Sequence, residues 1–194
     1  MTEQQPYEVV EAFPGFELRR YPAHVVAEVS VRGSFEGAGS QAFRSLFGYI
    51  TGQNASSRTI EMTSPVVQEP ATSRGGSEKI AMTAPVTQTE SGEGEHVIAF
   101  VLPAEMTAET APGPTNPQVR VRAVPERLAA AVRFSGRWTE SGYRRHLVEL
   151  GSALTAAGLV ATGPPRYARF DPPYKPWFLR RNEVVQDVTR PDGA

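Results

Sequence analysis

The chain has 194 residues, with 20 Lys and Arg against 21 Asp and Glu, a formal net charge of -1 and 40% hydrophobic residues. That is the composition of an ordinary folded domain, and it offers no global field for nucleic acid or an anionic membrane. There are 0 cysteines, which excludes disulfides, thiolate metal sites and cysteine nucleophiles. No apolar run approaches ~20 residues, so no transmembrane helix is expected. The polar start, Met-Thr-Glu-Gln-Gln-Pro-Tyr, has no apolar signal core, and a cytoplasmic protein is expected.

The first elements are β-like. Residues 7–13 and 16–21 flank a Pro14-Gly15 turn and read as a hairpin. Phe16 and Leu18 fall on one face and Glu17, Arg19 and Tyr21 on the other. A third strand over residues 24–32 puts Val25, Ala27, Val29 and Val31 on a core face. Gly33 ends it. A helix then runs from near Ser34 to about Thr51, with Ala42, Phe43, Leu46, Phe47 and Ile50 on one apolar stripe.

Next comes a phrase written twice. Ile60-Glu61-Met62-Thr63-Ser64-Pro65-Val66 returns twenty positions on as Ile80-Ala81-Met82-Thr83-Ala84-Pro85-Val86, around a polar stretch holding Gly75-Gly76. This predicts a long-looped hairpin. The proline in each run has no N–H to give, which places it at a sheet edge or a bulge. Residues 96–102 read as a strand ended by Pro103. Residues 104–117, rich in proline, read as a surface connector.

Beyond the connector the chain repeats. Residues 119–124 form a strand with Arg120 and Arg122 on its wet face. An offset of 103 superposes Val25 on Leu128, Ala27 on Ala130, Val29 on Val132, Val31 on Phe134 and Gly33 on Gly136. The same offset carries Phe35 to Trp138 and Gly39 to Gly142. A second helix over about 139–157 carries Tyr143, Leu147, Leu150 and Leu154, with Gly158 as its stop. Two similar β-α-β-β units, about 7–103 and 118–188, are therefore expected to share one sheet within a single domain over 1–194. Strands over 167–170 and 181–188 flank a rigid aromatic loop, Asp171-Pro172-Pro173-Tyr174-Lys175-Pro176-Trp177-Phe178.

The residue chemistry shows no catalytic set. His24, His96 and His146 are the only histidines and make no metal-spaced pair; His24 and His146 are the better candidates for a metal ligand. No phosphate loop, dinucleotide fingerprint or nucleophile elbow is present. What stands out is apolar and aromatic mass: Phe43, Leu46, Phe47 and Ile50 on the first helix, and Tyr174 and Trp177 beside Lys175 on the late loop. Aromatic faces with adjacent cations suit a flat apolar ligand carrying carboxylates.

Several pieces together resemble the SOUL haem-binding protein family: Phe16-Glu17-Leu18-Arg19-Arg20-Tyr21, Tyr49-Ile50-Thr51-Gly52-Gln53-Asn54, both Met-Thr-x-Pro-Val copies, Phe100-Val101-Leu102-Pro103, Arg133-Phe134-Ser135-Gly136, Asp171-Pro172-Pro173 and Arg181-Asn182-Glu183-Val184. The resemblance implies an α+β fold, a distorted antiparallel β-barrel of two similar halves with two flanking helices, like bacterial effector-binding domains. It also implies non-covalent binding of haem or another porphyrin in a groove between the first helix and the Pro-Pro loop. Within that groove the family's helix positions fall on Phe43 and Phe47, and the loop cation on Lys175. The family's basic helix residues fall on Ser40 and Gly48, and a proposed axial histidine falls on Arg20. The expected function is thus a haem carrier, buffer or sensor. The alternative is an effector-type module for another small molecule or a protein partner. No nucleic acid or membrane partner is expected, and an enzyme is not favoured.

Overall fold

Alternating strands and Ser/Thr-capped helices form close to the expected residues. The computed structural model describes residues 3–55, 63–64, 87–90, 95–172 and 174–191. Its strands are β1 (Glu3–Gln4), β2 (Glu8–Phe13), β3 (Phe16–Tyr21), β4 (His24–Arg32), β5 (Thr63–Ser64), β6 (Thr87–Glu90), β7 (Glu95–Val101), β8 (Val119–Val124), β9 (Arg127–Ser135), β10 (Val160–Ala161), β11 (Arg166–Arg169) and β12 (Arg181–Thr189). Helix α1 (Phe35–Ile50) follows β4 and α2 (Glu140–Ala156) follows β9. Apart from Thr63–Ser64, the doubled Met-Thr-x-Pro-Val hairpin lies outside the described residues.

The main sheet runs β2-β3-β9-β12-β11-β6-β7-β4-β8, with β10 added on β12; β1 and β5 form a separate parallel pair. The expected barrel does not close: β2 and β8 are the two ends of the path. The β2 end is blunted. A bulge falls between Val9 and Glu11, and Glu8 and Glu11 pair with Arg20 and Arg190. Charges and a bulge at an edge discourage further pairing.

The order β8-β4-β7-β6 is answered by β3-β9-β12-β11. Strands β3 and β8 are exchanged: β3 precedes β4 in the chain but pairs with β9, while β8 precedes β9 but pairs with β4. Helix α1 packs on β4 and β7 through Ala38, Ala42, Leu46, Tyr49 and Ile50 against Val25, Ala27, Val29, Ile98 and Phe100. Helix α2 packs through Tyr143, Leu150 and Leu154 against Leu18, Ala130, Tyr167 and Val184. Each buried Val, Leu, Ile or Phe among these contributes about 1.5–3 kcal/mol relative to exposure.

The offset of 103 holds for β4 and β9 and for Gly33 and Gly136, whose φ angles of 150° and 139° favour glycine. It then fails by two residues. Ser34 caps α1 directly after Gly33, whereas Arg137 and Trp138 intervene before the cap Thr139. Gly142 therefore matches Gly37, not Gly39: the amide N–H of each donates to its cap hydroxyl. Trp138 has no counterpart in α1.

Residues 104–117 are less superficial than expected. The Tyr49 hydroxyl donates to the Pro112 carbonyl, Asn54 bridges to Pro114, and Met106 and Ala111 pack on the α1 core.

Candidate functional site

On α1 the apolar stripe is wider than the core it serves. Leu46 and Ile50 are fully buried, and they support the helix from beneath rather than lining a surface. Phe43 and Phe47, one turn apart, stand at the stripe's edge, 38% and 37% exposed. Their rings stack at 5.5 Å and 19°, and Phe43 meets the buried Phe100 edge-on at 5.8 Å. The result is a preformed aromatic platform, anchored below and open above. Arg44 is exposed and three residues before Phe47, so it is a neighbour on the helix surface. At Gly48 a Cβ would meet the folded-back Gln53 side chain, so this position has no room for a long basic residue in this arrangement.

The late loop is rigid and turned outward. Lys175 Nζ donates to Asp171 Oδ1 at 2.6 Å, and the Arg181 amide N–H donates to the other Asp171 oxygen at 2.5 Å. Arg180 Nε donates to the Lys175 carbonyl at 2.7 Å. Trp177 begins a single 3₁₀ turn, Trp177–Leu179, which sequence reading did not foresee. Tyr174 and Trp177 are both exposed, and the Arg137 guanidinium lies 5.3 Å from the Trp177 ring centre. The structure thus places the sequence-selected residues in two neighbourhoods: Phe43 and Phe47 over Phe100, Trp177 beside Arg137 and Phe178.

The histidines are engaged. His24 Nδ1–H donates to the Pro22 carbonyl at 2.8 Å, leaving Nε2 to accept from the Gln5 amide at 3.1 Å. Burial, with Arg166, Arg127 and Arg122 nearby, pushes this imidazole down to about 4, so it is neutral near pH 7. His146 hydrogen-bonds Glu149 and Arg145 and stacks on Phe134 at 4.0 Å. His96 bonds the Gly33 carbonyl through Nε2 and is buried under α1. Each of the three thus has at least one ring nitrogen in a hydrogen bond within the protein. Among the described residues no group of three or more His, Asp or Glu side chains is arranged to hold a metal ion.

The sheet face away from the helices carries what sequence reading missed. Arg19, on the face opposite Phe16 and Leu18, is buried and pairs with buried Glu183 at 2.8 Å. Its guanidinium also bonds Tyr21 and Glu17 and lies 4.2 Å from the Tyr7 ring centre. Burial opposes its charge, but Tyr21 and Glu183 outweigh that and hold it above the usual arginine value. Burial pushes the Tyr21 hydroxyl up to about 12. Arg166 and Arg127 both reach Asp187, at 2.7 and 2.8 Å. Arg122, expected to be wet, is half-buried and donates twice to Glu28 Oε2 at 3.2 Å. Glu28 Oε1 has no hydrogen-bond partner among the described residues, and burial raises its pKa against the pull of Arg122. The available signal was that acids and bases alternate on strands whose other face is apolar, and in near-equal number.

An antiparallel sheet with two helices on one side and charged side chains on the other defines an α+β fold. The fold is similar to the C-terminal domain of EcmrR (TM-score 0.61, 12% identity, covering 95% of this chain and 98% of that one). It is also similar to a hydrolase from Listeria innocua (TM-score 0.57, 14% identity, 97% and 94%). A family model, SOUL heme-binding protein, matches residues 2–76 and 71–187, and the chain belongs to that family. It is 26% identical to heme-binding protein 1 of Xenopus tropicalis over 170 residues, 87% of this chain and 81% of that protein.

Proposed function

We propose that the protein binds haem or a related porphyrin reversibly and without covalent attachment, one ring face lying on Phe43 and Phe47. The observation that carries this is the stacked, half-exposed pair on a rigid helix, in a chain of the haem-binding family. A porphyrin laid on this pair covers apolar area at about 25 cal/mol per Å². The side chains of the platform fit the ring face, and each histidine already has a ring nitrogen in a hydrogen bond within the protein. Affinity then rests on ring burial and on cations for the propionates. Arg44, beside Phe47, is the nearer cation on the helix; Lys175 is already neutralised by Asp171. Leu46 and Ile50 enter as the support of the platform. Titrating hemin into the purified protein tests this: a saturable Soret shift is expected, and a titration matching that of an unrelated protein would overturn it.

A second reading has its own observation. The charged face of the sheet, with its unmet Glu28 oxygen, suits a polar or cationic effector better than a porphyrin. It requires that protein isolated from its own cells carry a non-porphyrin ligand, detectable by mass spectrometry after gentle extraction.

A further inference from the structure

The charged face of the sheet already has an occupant, the chain's own residues 4–7. Gln5 is buried, and its side-chain amide donates to His24 Nε2 on β4 at 3.1 Å. Gln4 Oε1 accepts from Arg181 Nη1 on β12 at 3.1 Å. The Tyr7 ring centre lies 5.6 Å from that of Tyr21 and 4.2 Å from the Arg19 guanidinium, both on β3. The same ring packs on the cluster of Ala129, Ala131 and Val185. The segment therefore reaches strands of both halves of the sheet, β4 in one and β3 and β12 in the other.

Side chains hold this segment more than backbone does. Strand β1 is two residues long and pairs with β5 outside the main sheet. Pro6, exposed, has no N–H to give and separates Gln5 from Tyr7. A strand this short opens locally at far lower cost than global unfolding. What it would uncover is a built surface: Arg19 and Arg181 are both fixed by the buried Glu183, and His24 Nδ1 is fixed by the Pro22 carbonyl.

We propose that the charged face is a peptide site held in cis by residues 4–7. An extended segment that presents a side-chain amide and, two residues on, a tyrosine takes their place when the strap opens. The incoming amides meet His24 Nε2 and Arg181, and the ring lies against Arg19 and Tyr21, as Gln5, Gln4 and Tyr7 do in cis. Extended peptides gain selectivity from side chains seated at such spaced contacts. This inference rests on the second reading above, a ligand on the charged face, and names its class; the platform on α1 has no part in it.

The test is fluorescence anisotropy with the full chain and a labelled synthetic peptide of residues 3–8, Glu-Gln-Gln-Pro-Tyr-Glu. A tethered segment competes at an effective concentration on the order of millimolar, so the parent takes up free peptide weakly. Gln5→Ala with Tyr7→Ala in the protein removes the competing side chains and keeps the groups they met. This variant is expected to bind the peptide at least about tenfold more tightly than the parent. A peptide carrying the same two changes is expected not to bind. Hydrogen exchange of the parent needs no variant: residues 3–5 are expected to exchange at least about tenfold faster than β3 and β9. No binding to the folded variant, equal binding by variant and parent, binding of the altered peptide, or exchange at residues 3–5 as slow as in β3 overturns the proposal. A small non-peptide ligand extracted from the native protein keeps the second reading and overturns this inference.

Discussion

Arg19 and Glu183 form an ion pair at 2.8 Å across 164 residues of chain, on strands β3 and β12 that flank β9 on either side. The pair ties the exchanged strand β3 to the last strand of the protein. Removing one partner of a buried pair leaves a charge without its counter-ion and costs about 3–5 kcal/mol. Arg19 keeps Tyr21 and Glu17, so the lower end applies to Glu183→Gln. Urea unfolding is expected to show a loss of about 3 kcal/mol for Glu183→Gln. The double change Arg19→Met with Glu183→Leu is expected to recover most of it. A loss below about 1 kcal/mol for the single variant would place the pair in solvent.

His24 gives a pH dependence of defined sign. Its folded pKa is lowered to about 4 from 6.5, so between these values the unfolded chain takes up a proton that the folded chain does not. The stability associated with the neutral buried ring is fully present above 6.5 and is lost as pH falls through about 4. Glu28 acts in the opposite direction, because its folded pKa is raised. The comparison is therefore made between the parent and His24→Gln. The variant's melting temperature is expected to fall less steeply between pH 6.5 and 4 than the parent's; identical slopes would mean the ring is solvated.

At Gly136 the backbone has φ of 139°, and a Cβ there would meet nothing within 4 Å. Gly136→Ala therefore isolates backbone strain from steric clash. A loss of about 1–3 kcal/mol is expected, with no change in hemin titration, since Gly136 lies between β9 and α2 and not on α1.

Much of this fold was legible locally. Strands β4 and β8 fall on their expected residues because clean alternation, Gly33 and the Arg127–Ser135 repeat leave no competing register. Both helices begin after a Ser or Thr cap for the same reason. Long-range pairing was not legible: nothing in Phe16–Tyr21 says that its partner is β9 rather than β4. Arg122 was misread, and the burial of Arg19 was not legible, because alternation marks a polar face without saying whether it is covered. The two-residue insertion at Arg137 and Trp138 was hidden because Gly142 sits at a plausible offset from a glycine in α1. Of the candidate site, Phe43 and Phe47 were found by helical spacing, but spacing alone did not separate them from Leu46 and Ile50. That separation depends on which side of α1 meets β4 and β7.

The measurement that tests the central claim most directly is hemin titration of Phe47→Asp beside Lys175→Ala, Arg44→Ala and the parent, each checked for an unchanged melting transition. Phe47→Asp places a charge where the ring must desolvate, and it is expected to weaken binding far more than Lys175→Ala. Lys175→Ala removes a cation already paired with Asp171, a change of about 0–1 kcal/mol. Arg44→Ala is expected to fall between them. A folded Phe47→Asp protein that binds hemin as tightly as the parent would contradict the account, because no porphyrin could then rest on the α1 platform.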